Sequence, residues 1–348
     1  MVGKLTVKSG SKFYKYRPLC LEGDGFDMDI IEIKNLCKEY KGKEEAALRN
    51  IDISIKEGET FGLLGPNGAG KTTMVRLILN ILKPTKGTIK VFGVDVTSKE
   101  YDKKRKKIGF MLESLGVSYI LTGYENMEFF DRIYYEDSSP SERKERIESL
   151  LTFAGLWEVK DKPVATYSHG MTRRLTLARA LICDPTLIFL DEPTLGLDPE
   201  ARTLIREMLL ALKKEGKTVF LTSHDLEEVE KICSNIAIIN HGEMVAQGSY
   251  EELKSRFSAR RTVVKVKEIG PWVEELSKEM KIEIDGNTIY IEGNDSGRIF
   301  EVLAKTGVKV QEMKTEEEGL EDLYLKLLKS EPEARKGLVT RALKGVKR

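Results

Sequence analysis

One segment of the sequence has the residue types and the spacing of a phosphate-binding loop. Residues 65–72 read GPNGAGKT and satisfy the pattern G-x-x-x-x-G-K-[ST] in full. Glycines at these positions allow backbone N–H groups to surround phosphate oxygens without a side chain in the way. Lys71 is then expected to bind the β- and γ-phosphates, and Thr72 to bind Mg²⁺. The segment predicts a site for a nucleoside triphosphate, with a chance glycine-rich loop as the alternative.

The elements on either side of this loop support the prediction. Residues 60–64 form an apolar strand pattern, and residues 71–82 have a helical periodicity that stops before Pro84. The loop therefore leads from a strand into a helix, whose N-terminal dipole end favours bound phosphate. This context is the one that the motif requires, but it does not say which reaction uses the nucleotide.

Two carboxylates end a second apolar run, LIFLDE at residues 187–192. In P-loop proteins an apolar strand that ends in Asp supplies the second contact to Mg²⁺, which predicts that role for Asp191. Side chains alternate along a strand, so Glu192 is expected to point the other way and to accept a proton from water. The alternative is that the two acids only form a solvated end of the strand.

Further motifs follow the loop in a fixed order. Residues 167–171 read YSHGM, Asp198 follows the two acids, and His224 follows another apolar run. With the loop and the acids, these motifs make residues 29 to about 255 resemble the nucleotide-binding subunits of ABC transporters. Ordinary P-loop kinases and GTPases lack the motif at 167–171 and the one at Asp198, so the resemblance is specific.

The resemblance implies a role for each of these motifs. Residues 167–171 would be the ABC signature, with Ser168 as the N-cap of the helix that follows. The Ser168 hydroxyl and the small Gly170 could then approach the γ-phosphate of the other subunit's ATP. His224 would be the switch histidine that holds the γ-phosphate, and Tyr40 would stack on the adenine. Asp198 would belong to the D-loop.

The motifs and the resemblance together give one set of candidate site residues. Glu192, His224 and Lys71 are assigned to hydrolysis, and Thr72 and Asp191 to the metal ion. ATP and Mg²⁺ are the expected cofactors. The residues expected to contact them are Tyr40, Gly65, Asn67, Gly68, Ala69, Gly70, Lys71, Thr72, Thr73, Glu113, Ser168, Gly170 and Asp198.

Two motifs depart from the family's common pattern. Glu113 stands where the family commonly has the glutamine of the Q-loop. Its carboxylate could still hold the water shell of Mg²⁺, but it adds negative charge near the γ-phosphate. In the signature, His169 replaces a glycine and Met171 replaces a glutamine, while the groups that contact the phosphate, Ser168 and Gly170, are kept.

Length and composition set limits on the whole chain. Its 348 residues suffice for one large and one smaller domain, and 41% of them are hydrophobic. The net charge of +1 argues neither for nor against a polyanionic partner. The four scattered cysteines fit no metal-ligand spacing and are interpreted as reduced thiols. No apolar stretch approaches the roughly 20 residues that span a bilayer, and residues 1–10 lack a signal-peptide core, so a cytoplasmic chain is expected.

Periodicity divides the chain into four segments. Residues 1–28 form an extension without clear periodicity, and residues 29–255 alternate between strand and helix patterns, which predicts a mostly parallel sheet covered by helices. The resemblance implies a helical subdomain at about 114–166 within this α/β P-loop NTPase domain. Residues 256–330 have the order βαββαβ, which predicts a small α+β domain of ferredoxin-like fold. Residues 331–348 are basic and amphipathic, which suits a lipid surface, a partner, a helix on the C-terminal domain or a solvated end.

The resemblance implies an ATP-hydrolysing subunit that closes on a second ATPase subunit around two MgATP and drives a separate membrane permease. The second subunit would be a copy of this chain or a paralogue. No nucleic-acid partner is expected, and the chain would lie on the inner face of the cell membrane. The runs at 121–135 and 319–324 resemble exporter-type subunits. The alternatives are an importer subunit with a C-terminal ligand sensor, and a soluble ABC ATPase that acts on nucleic acid or ribosomes.

Overall fold

A computed structural model describes residues 29–42, 45–112, 116–257, 260–292, 296–306 and 308–317, together with Tyr324. The chain divides into two compact units, with the boundary in the sequence between Gln247 and Gly248. The predicted extension at 1–28, the run at 319–324 apart from Tyr324, and the tail at 331–348 lie outside the described residues. Within the described residues, no helix has the length and apolar character needed to cross a bilayer.

Strands and helices alternate through the first unit. In chain order they are β1 (Asp29–Lys38), β2 (Leu48–Lys56), β3 (Thr60–Leu64), α1 (Lys71–Ile78), β4 (Lys86–Val91), β5 (Val94–Asp95), α2 (Lys99–Lys104), β6 (Ile108–Met111), α3 (Gly123–Tyr134), α4 (Pro140–Phe153), α5 (His169–Ala180), β7 (Leu187–Asp191), α6 (Pro199–Lys214), β8 (Thr218–Ser223), α7 (Leu226–Ile232), β9 (Asn235–Asn240) and β10 (Glu243–Ser249).

Six of these strands form the central sheet, in the order β10-β9-β3-β8-β7-β6. The pairs β3–β8, β3–β9, β7–β8 and β6–β7 are all parallel. Strands β3, β7 and β8 are buried along their whole length, as expected for a parallel sheet with both faces covered. The predicted parallel sheet is therefore confirmed, and the carboxyl ends of its strands share one edge.

The main hydrophobic core joins this sheet to a second, antiparallel one. The second sheet has the order β2-β1-β4-β5. Isoleucines of β1 and β2 and the apolar face of α1 belong to the same buried cluster as residues of the central sheet. Inside the central sheet, the ring of Phe220 lies 5.5 Å from that of Phe61 and 5.3 Å from that of Phe189. Rings packed at these separations hold three neighbouring strands in register.

The helix after the glycine-rich loop is shorter than its sequence pattern predicts. It ends at Ile78, whereas the pattern extends to Leu82. Asn80 adopts a left-handed conformation with φ of 55°, and the backbone N–H groups of Ile81 and Leu82 both donate to the carbonyl of Arg76. Asparagine tolerates this conformation and such bonds satisfy the last free carbonyls, so the helix stops one turn early.

The predicted helical subdomain contains α3 and α4, which are linked by buried charges. Both helices begin with a capping box, formed by Thr122 with Glu125 and by Ser139 with Glu142. These pairs satisfy backbone donors that the first turn of a helix leaves free.

Asp131 of α3 is fully buried and pairs with two arginines of α4. Its carboxylate accepts from Arg143 Nε at 3.1 Å and also binds Arg146. Because a buried charge is tolerated only when it is paired, this triad fixes the two helices relative to each other.

The second unit forms a small sheet with two helices. Its elements are α8 (Tyr250–Phe257), β11 (Arg260–Val266), α9 (Trp272–Glu279), β12 (Ile282–Asp285), β13 (Thr288–Glu292), α10 (Ser296–Thr306) and β14 (Val310–Glu317). The sheet is antiparallel, in the order β12-β13-β11-β14. Asp285 pairs with Thr288 across a two-residue turn, in which Gly286 has φ of 56°. A cluster of buried aliphatic residues from β11, β13, α9 and α10 forms its core.

We expect Asp131→Ala to lower the free energy of unfolding by about 3 kcal/mol, because it leaves two arginines without their buried counter-charge. Urea unfolding followed by circular dichroism measures the change. The matched control is Glu128→Ala, which removes a partly exposed carboxylate from the same helix, 2.8 Å from Arg132. A surface pair of this kind contributes only about 0.5 kcal/mol. Equal losses in the two variants would contradict a structural role for the buried triad.

Candidate active site

The glycine-rich loop at 65–70 joins β3 to α1 at the carboxyl edge of the central sheet. The Gly65 N–H donates to the carbonyl of Ser223, at the end of β8, over 3.1 Å. The loop is also tied to the turn between β9 and β10, because the Gly242 N–H donates to the carbonyl of Ala69 over 3.1 Å. Neighbouring strands therefore hold the loop from two sides.

Two glycines of the loop are required by the surrounding backbone. A Cβ atom at Gly65 would lie 2.3 Å from the carbonyl oxygen of Ile239. At Gly70, where φ is 109°, it would lie 2.6 Å from the carbonyl oxygen of Ala47. A Cβ at Gly68 would meet nothing within 4 Å, although its φ of 82° is left-handed. Glycine is therefore required at 65 and 70 because neighbouring backbone atoms of the protein lie too close for a Cβ atom. This requirement is additional to the space for phosphate that the motif predicts.

The start of α1 is suited to an anion. Gly70 occupies the N-cap position and provides no side-chain cap, and the first turn carries no acidic residue. The Met74 N–H donates to the Gly70 carbonyl over 2.9 Å at the start of the helix. The first turn of a helix leaves N–H groups without intrahelical partners, and the helix dipole adds partial positive charge there. The geometry fits the predicted phosphate site.

Lys71 is buried, with 6% of its side chain exposed, and three oxygens surround its ammonium group. Its Nζ donates to the Gly65 carbonyl at 2.6 Å and to the Pro66 carbonyl at 3.3 Å. It also lies 3.0 Å from Oε1 of Glu192, whose side chain is 11% exposed. The ion pair joins the loop to the residue that follows β7.

Asp191 ends β7 and accepts two hydroxyl donors. The Thr72 hydroxyl donates to its Oδ2 at 3.0 Å, and the Thr222 hydroxyl donates to its Oδ1 at 2.6 Å. Asp191 is 1% exposed. The predicted metal ligands Thr72 and Asp191 are therefore in contact, and Thr222 is a third member of the cluster that the sequence motifs do not indicate.

Glu192 lies beyond the end of β7, so the alternation of side chains along a strand does not place it. It has a left-handed backbone with φ of 49°, and its carboxylate turns towards the loop. Oε1 contacts Lys71, and Oε2 lies 2.9 Å from Nδ1 of His224. The two carboxylates contact different residues in the first turn of α1, because Glu192 pairs with Lys71 and Asp191 accepts from Thr72.

A cavity of about 550 Å³ opens beside these groups. It is lined by residues of the loop, by Thr72, by Thr73 and by Glu192. Tyr40 lines it as well, and its hydroxyl is 3.3 Å from the Thr73 hydroxyl. His241, which is not among the predicted site residues, also lines this cavity. It is exposed and has φ of 47°, in the turn that binds the loop at Ala69.

Three of the candidate residues form a second cluster. Ser168 caps α5 by accepting from the Met171 N–H at 3.2 Å, and Asp198 caps α6 by accepting from the Ala201 N–H at 2.8 Å. A Cβ atom at Gly170 would lie 2.6 Å from the Cβ of Ala201, so the two helix starts pack closely. Among the described residues that line the cavity, none of Ser168, Gly170 and Asp198 is found. Glu113 lies outside the described residues.

Two of the cysteines, Cys183 and Cys233, are not suited to nucleophilic or metal-binding chemistry. Burial raises the pKa of the Cys183 thiol to about 12, and it also raises the pKa of the Cys233 thiol. Cys233 lies against β3, because a Cβ at Gly62 would be 2.8 Å from its Sγ. Thiols with raised pKa values stay protonated at neutral pH and are poor nucleophiles and poor metal ligands. Cys20 is outside the described residues.

The site contains a glycine-rich loop on a parallel sheet, a lysine buried against that loop, and two carboxylates at the end of β7. These features together define a P-loop nucleoside triphosphatase. Comparison with known proteins narrows the class. The sequence matches the ABC transporter family over residues 48–195. It is 36% identical over 308 residues to Nod factor export ATP-binding protein I of Sinorhizobium fredii, a match that covers 85% of each chain. It is 33% identical over 310 residues to linearmycin resistance ATP-binding protein LnrL of Bacillus subtilis, covering 86% of this chain and 98% of that one.

Solved structures agree with this assignment. The ATP-binding cassette MJ0796, solved as a dimer in a post-hydrolysis state with ADP and phosphate, is 32% identical and superposes with a TM-score of 0.58, covering 63% of this chain and 98% of that one. The protein cbiO1 of Clostridium perfringens, part of the transporter complex cbiONQ, is 29% identical with a TM-score of 0.59, covering 66% of this chain and 91% of that one. The chain belongs to the ATP-binding proteins of ABC transporters, in their exporter-like group. It is an ATPase whose hydrolysis of ATP is coupled to transport.

We expect Gly70→Ala to destabilise the fold and to abolish ATP binding, because its Cβ would overlap the Ala47 carbonyl. Gly68→Ala is the matched control, since its Cβ has open space and only the left-handed backbone opposes it, at a cost of roughly 1 kcal/mol. Thermal unfolding with and without MgATP measures both effects. A Gly70→Ala protein as stable as Gly68→Ala would show that the loop does not approach Ala47 as described.

Proposed function

We propose that the chain dimerises around two MgATP and powers export through a separate membrane permease. The observation that carries the proposal is the linked set of Thr72, Asp191, Lys71, Glu192 and His224 beside one cavity. Each group in this set has a chemical part in phosphoryl transfer, which depends on positioning and charge stabilisation. Relatives named for Nod factor export and for linearmycin resistance support export as the direction of transport.

The donor set suits Mg²⁺. This ion prefers oxygen ligands and is usually held by one or two carboxylates together with waters and nucleotide phosphates. The Thr72 hydroxyl and the Asp191 carboxylate, 3.0 Å apart, supply two such oxygens at the start of α1. Among the described residues, no group of three or more His, Cys, Asp and Glu side chains could hold a metal ion, which agrees with a site completed by nucleotide and water. When bound, Mg²⁺ would neutralise charge on the phosphates.

The protein side chains divide the remaining tasks. Lys71 exchanges the carbonyls of its own loop and Glu192 for the β- and γ-phosphates, which releases the Glu192 carboxylate to accept a proton from the attacking water. His224, hydrogen-bonded to Glu192 in the structure, is assigned to orient that carboxylate and to hold the γ-phosphate. Tyr40, which lines the cavity, is assigned to stack on the adenine.

The second cluster supports a dimeric active form. Ser168 and Gly170 lie at a helix start outside the cavity lining, so they are available to the γ-phosphate bound by a second ATPase subunit. The cassette MJ0796 has been solved as a dimer with ADP and phosphate, which supports a dimeric form here. The second subunit is either a copy of this chain or a paralogue, and the assembly lies on the inner face of the membrane.

Glu192→Gln is expected to bind ATP but to hydrolyse it at least ~100-fold more slowly, because the general base is lost. It should also form a dimer with ATP that survives gel filtration. Steady-state phosphate release and light scattering provide the two measurements.

The matched control is Glu228→Gln. Glu228 is buried and lies 3.2 Å from Arg206, but it does not line the cavity. Burial raises the pKa of its carboxyl, so a neutral side chain is tolerated there and turnover should stay near normal. Near-normal turnover in Glu192→Gln would overturn the role of Glu192.

An exposed apolar patch on the helical subdomain is our candidate surface for the permease. Phe129 and Ile133 lie one turn apart on α3 and are 55% and 60% exposed. Tyr119 and Ile120, in the preceding segment, are 61% and 89% exposed. The exposure of Phe129 and Ile133 shows that these side chains do not belong to the subdomain's own core. Exposed large apolar side chains concentrated in residues 119–133 favour contact with a helix of a membrane partner.

Ile133→Glu is expected to weaken co-purification with the permease by about tenfold or more, because it places a charge in the centre of an apolar contact. Its own ATPase rate should be unchanged. Ile81→Glu, at an isoleucine that is 55% exposed and follows α1, is the control and should retain the permease. Equal retention of the permease by both variants would exclude α3 from the interface.

Residues 256–330 are proposed to form a ferredoxin-like domain that follows an ATPase domain at 29–255. Support comes from its βαββαβ order and from an antiparallel sheet in the order β12-β13-β11-β14. Stabilisation of the dimer is the simplest role for such a domain, with ligand sensing as the alternative.

A further inference from the structure

A threonine hydroxyl lies between the two carboxylate residues of the site. Thr222, near the end of β8, is fully buried. Its hydroxyl donates to Asp191 Oδ1 at 2.6 Å and accepts from the backbone N–H of Glu192 at 3.1 Å. Thr222 is also the register partner of Asp191 in the β7–β8 pair. No motif of the sequence indicates this position.

The chemistry of the three groups fixes the direction of both hydrogen bonds. A hydroxyl has one proton to donate and two lone pairs to accept with. The Asp191 carboxylate can only accept and the Glu192 amide can only donate, so the hydroxyl proton must face Asp191. Such a hydroxyl cannot rotate without losing a buried hydrogen bond, which is unfavourable because the freed groups cannot reach water.

The hydroxyl orients the proposed metal ligand. Asp191 has two donors in the structure, Thr72 on Oδ2 and Thr222 on Oδ1. Thr72 is itself assigned to the metal ion, so it is not available as a permanent donor. Thr222 is the donor that holds the Asp191 carboxylate whether or not the metal is bound.

The same residue fixes the backbone from which the proposed general base projects. Glu192 has φ of 49°, a conformation that costs a non-glycine residue roughly 1 kcal/mol or more. Its N–H faces both the hydroxyl of Thr222, at 3.1 Å, and the carbonyl of Thr222, at 3.2 Å. These contacts stabilise the left-handed conformation, which in turn directs the carboxylate towards Lys71 and His224.

We propose that Thr222 is a positioning residue that couples the metal ligand Asp191 to the general base Glu192 through one hydroxyl group. The inference rests on the roles given to Asp191 and Glu192 under the proposed function. Thr222 touches neither nucleotide nor metal, and acts by holding the carboxylate and the backbone of its two neighbours.

Thr222→Val tests the proposal, because valine keeps the shape and removes the hydroxyl. The turnover number for ATP should fall about tenfold or more, as for other residues that support a metal ligand. The KM for MgATP should rise by no more than the severalfold loss of Mg²⁺-dependent affinity described below, because the loop and the adenine contacts are untouched. Thr222→Ser restores the hydroxyl and should recover most of the turnover.

A binding measurement separates this role from activity. Affinity for a fluorescent ATP analogue is measured with Mg²⁺ and with EDTA. In Thr222→Val the gain in affinity that Mg²⁺ provides should shrink severalfold, while binding in EDTA should equal that of the unchanged protein. Titration of Mn²⁺ in the presence of ATP, followed by electron paramagnetic resonance, gives the same quantity directly.

Thr218→Val is the matched control. Thr218 begins the same strand, is equally buried, and its hydroxyl accepts from the Gly58 N–H at 2.8 Å at the opposite end of β8. This variant should lose stability without any change in turnover or metal dependence. If both valine variants change turnover and metal dependence alike, or if Thr222→Ser fails to recover turnover, the proposal is overturned.

Two further results keep the test decisive. Should Thr222→Val not fold, Thr222→Cys keeps a similar shape with a weaker donor, and its turnover should fall between those of the serine and valine variants. Turnover in Thr222→Cys equal to that of the unchanged protein would oppose the proposal. Failure of the proposed function looks different, because Glu192→Gln would then hydrolyse ATP normally whatever happens at Thr222.

Discussion

The ion pair between Lys71 and Glu192 is the interaction on which the active site depends. It joins the glycine-rich loop to the end of β7 over 3.0 Å, with both side chains almost wholly buried. A buried charge without a partner is strongly unfavourable, so each of these residues requires the other until a ligand replaces it. The negative charge of a nucleotide can make that replacement, because phosphates provide Lys71 with new partners and leave the carboxylate free. The contact that stabilises the loop therefore also sets the order in which the catalytic groups become available.

Parallel topology explains why these groups meet at all. β3, β8 and β7 are neighbours in one parallel sheet, so the loop after β3, the acids after β7 and His224 after β8 emerge at the same edge. Ser168 and Asp198 cap two helices whose first turns contact each other at Gly170 and Ala201, and neither residue lines the cavity. One subunit thus presents a nucleotide pocket and, separately, the start of α5, whose first turn carries no acidic residue and suits a phosphate. That division is the physical basis for proposing that two subunits share each ATP.

The motifs predicted most of the fold around the site, and the misses have physical causes. The strand at 60–64 and the cap at Ser168 follow from local patterns, and the structure contains them. The helix after the loop was expected to be longer because its apolar periodicity continues beyond Asn80, where a left-handed residue ends it. Apolar periodicity indicates which face of a helix is buried, but it does not predict the backbone angle of an individual residue.

Non-local contacts were harder to predict. Thr222 and His241 reach the site because the sheet places β8 and the β9–β10 turn beside the loop. No short sequence motif predicts that these segments are neighbours in space. The same holds for Glu192, whose left-handed φ replaces the strand alternation that its neighbours suggest.

The glycines of the loop explain why its conformation is already formed before a ligand binds. Gly65 and Gly70 are confined by the carbonyl oxygens of Ile239 and Ala47, which belong to β9 and to the segment before β2. Those contacts exist within the protein, so the loop conformation is imposed by packing and does not have to be formed at the expense of nucleotide binding. A site fixed in advance loses less conformational entropy when its ligand arrives. Gly68, which faces open space, is the position at which the loop can still adjust to the phosphates. The loop therefore combines two anchored glycines with one free one, and the anchored pair holds the first turn of α1, with Lys71 and Thr72, at the distance from β7 that both carboxylates require.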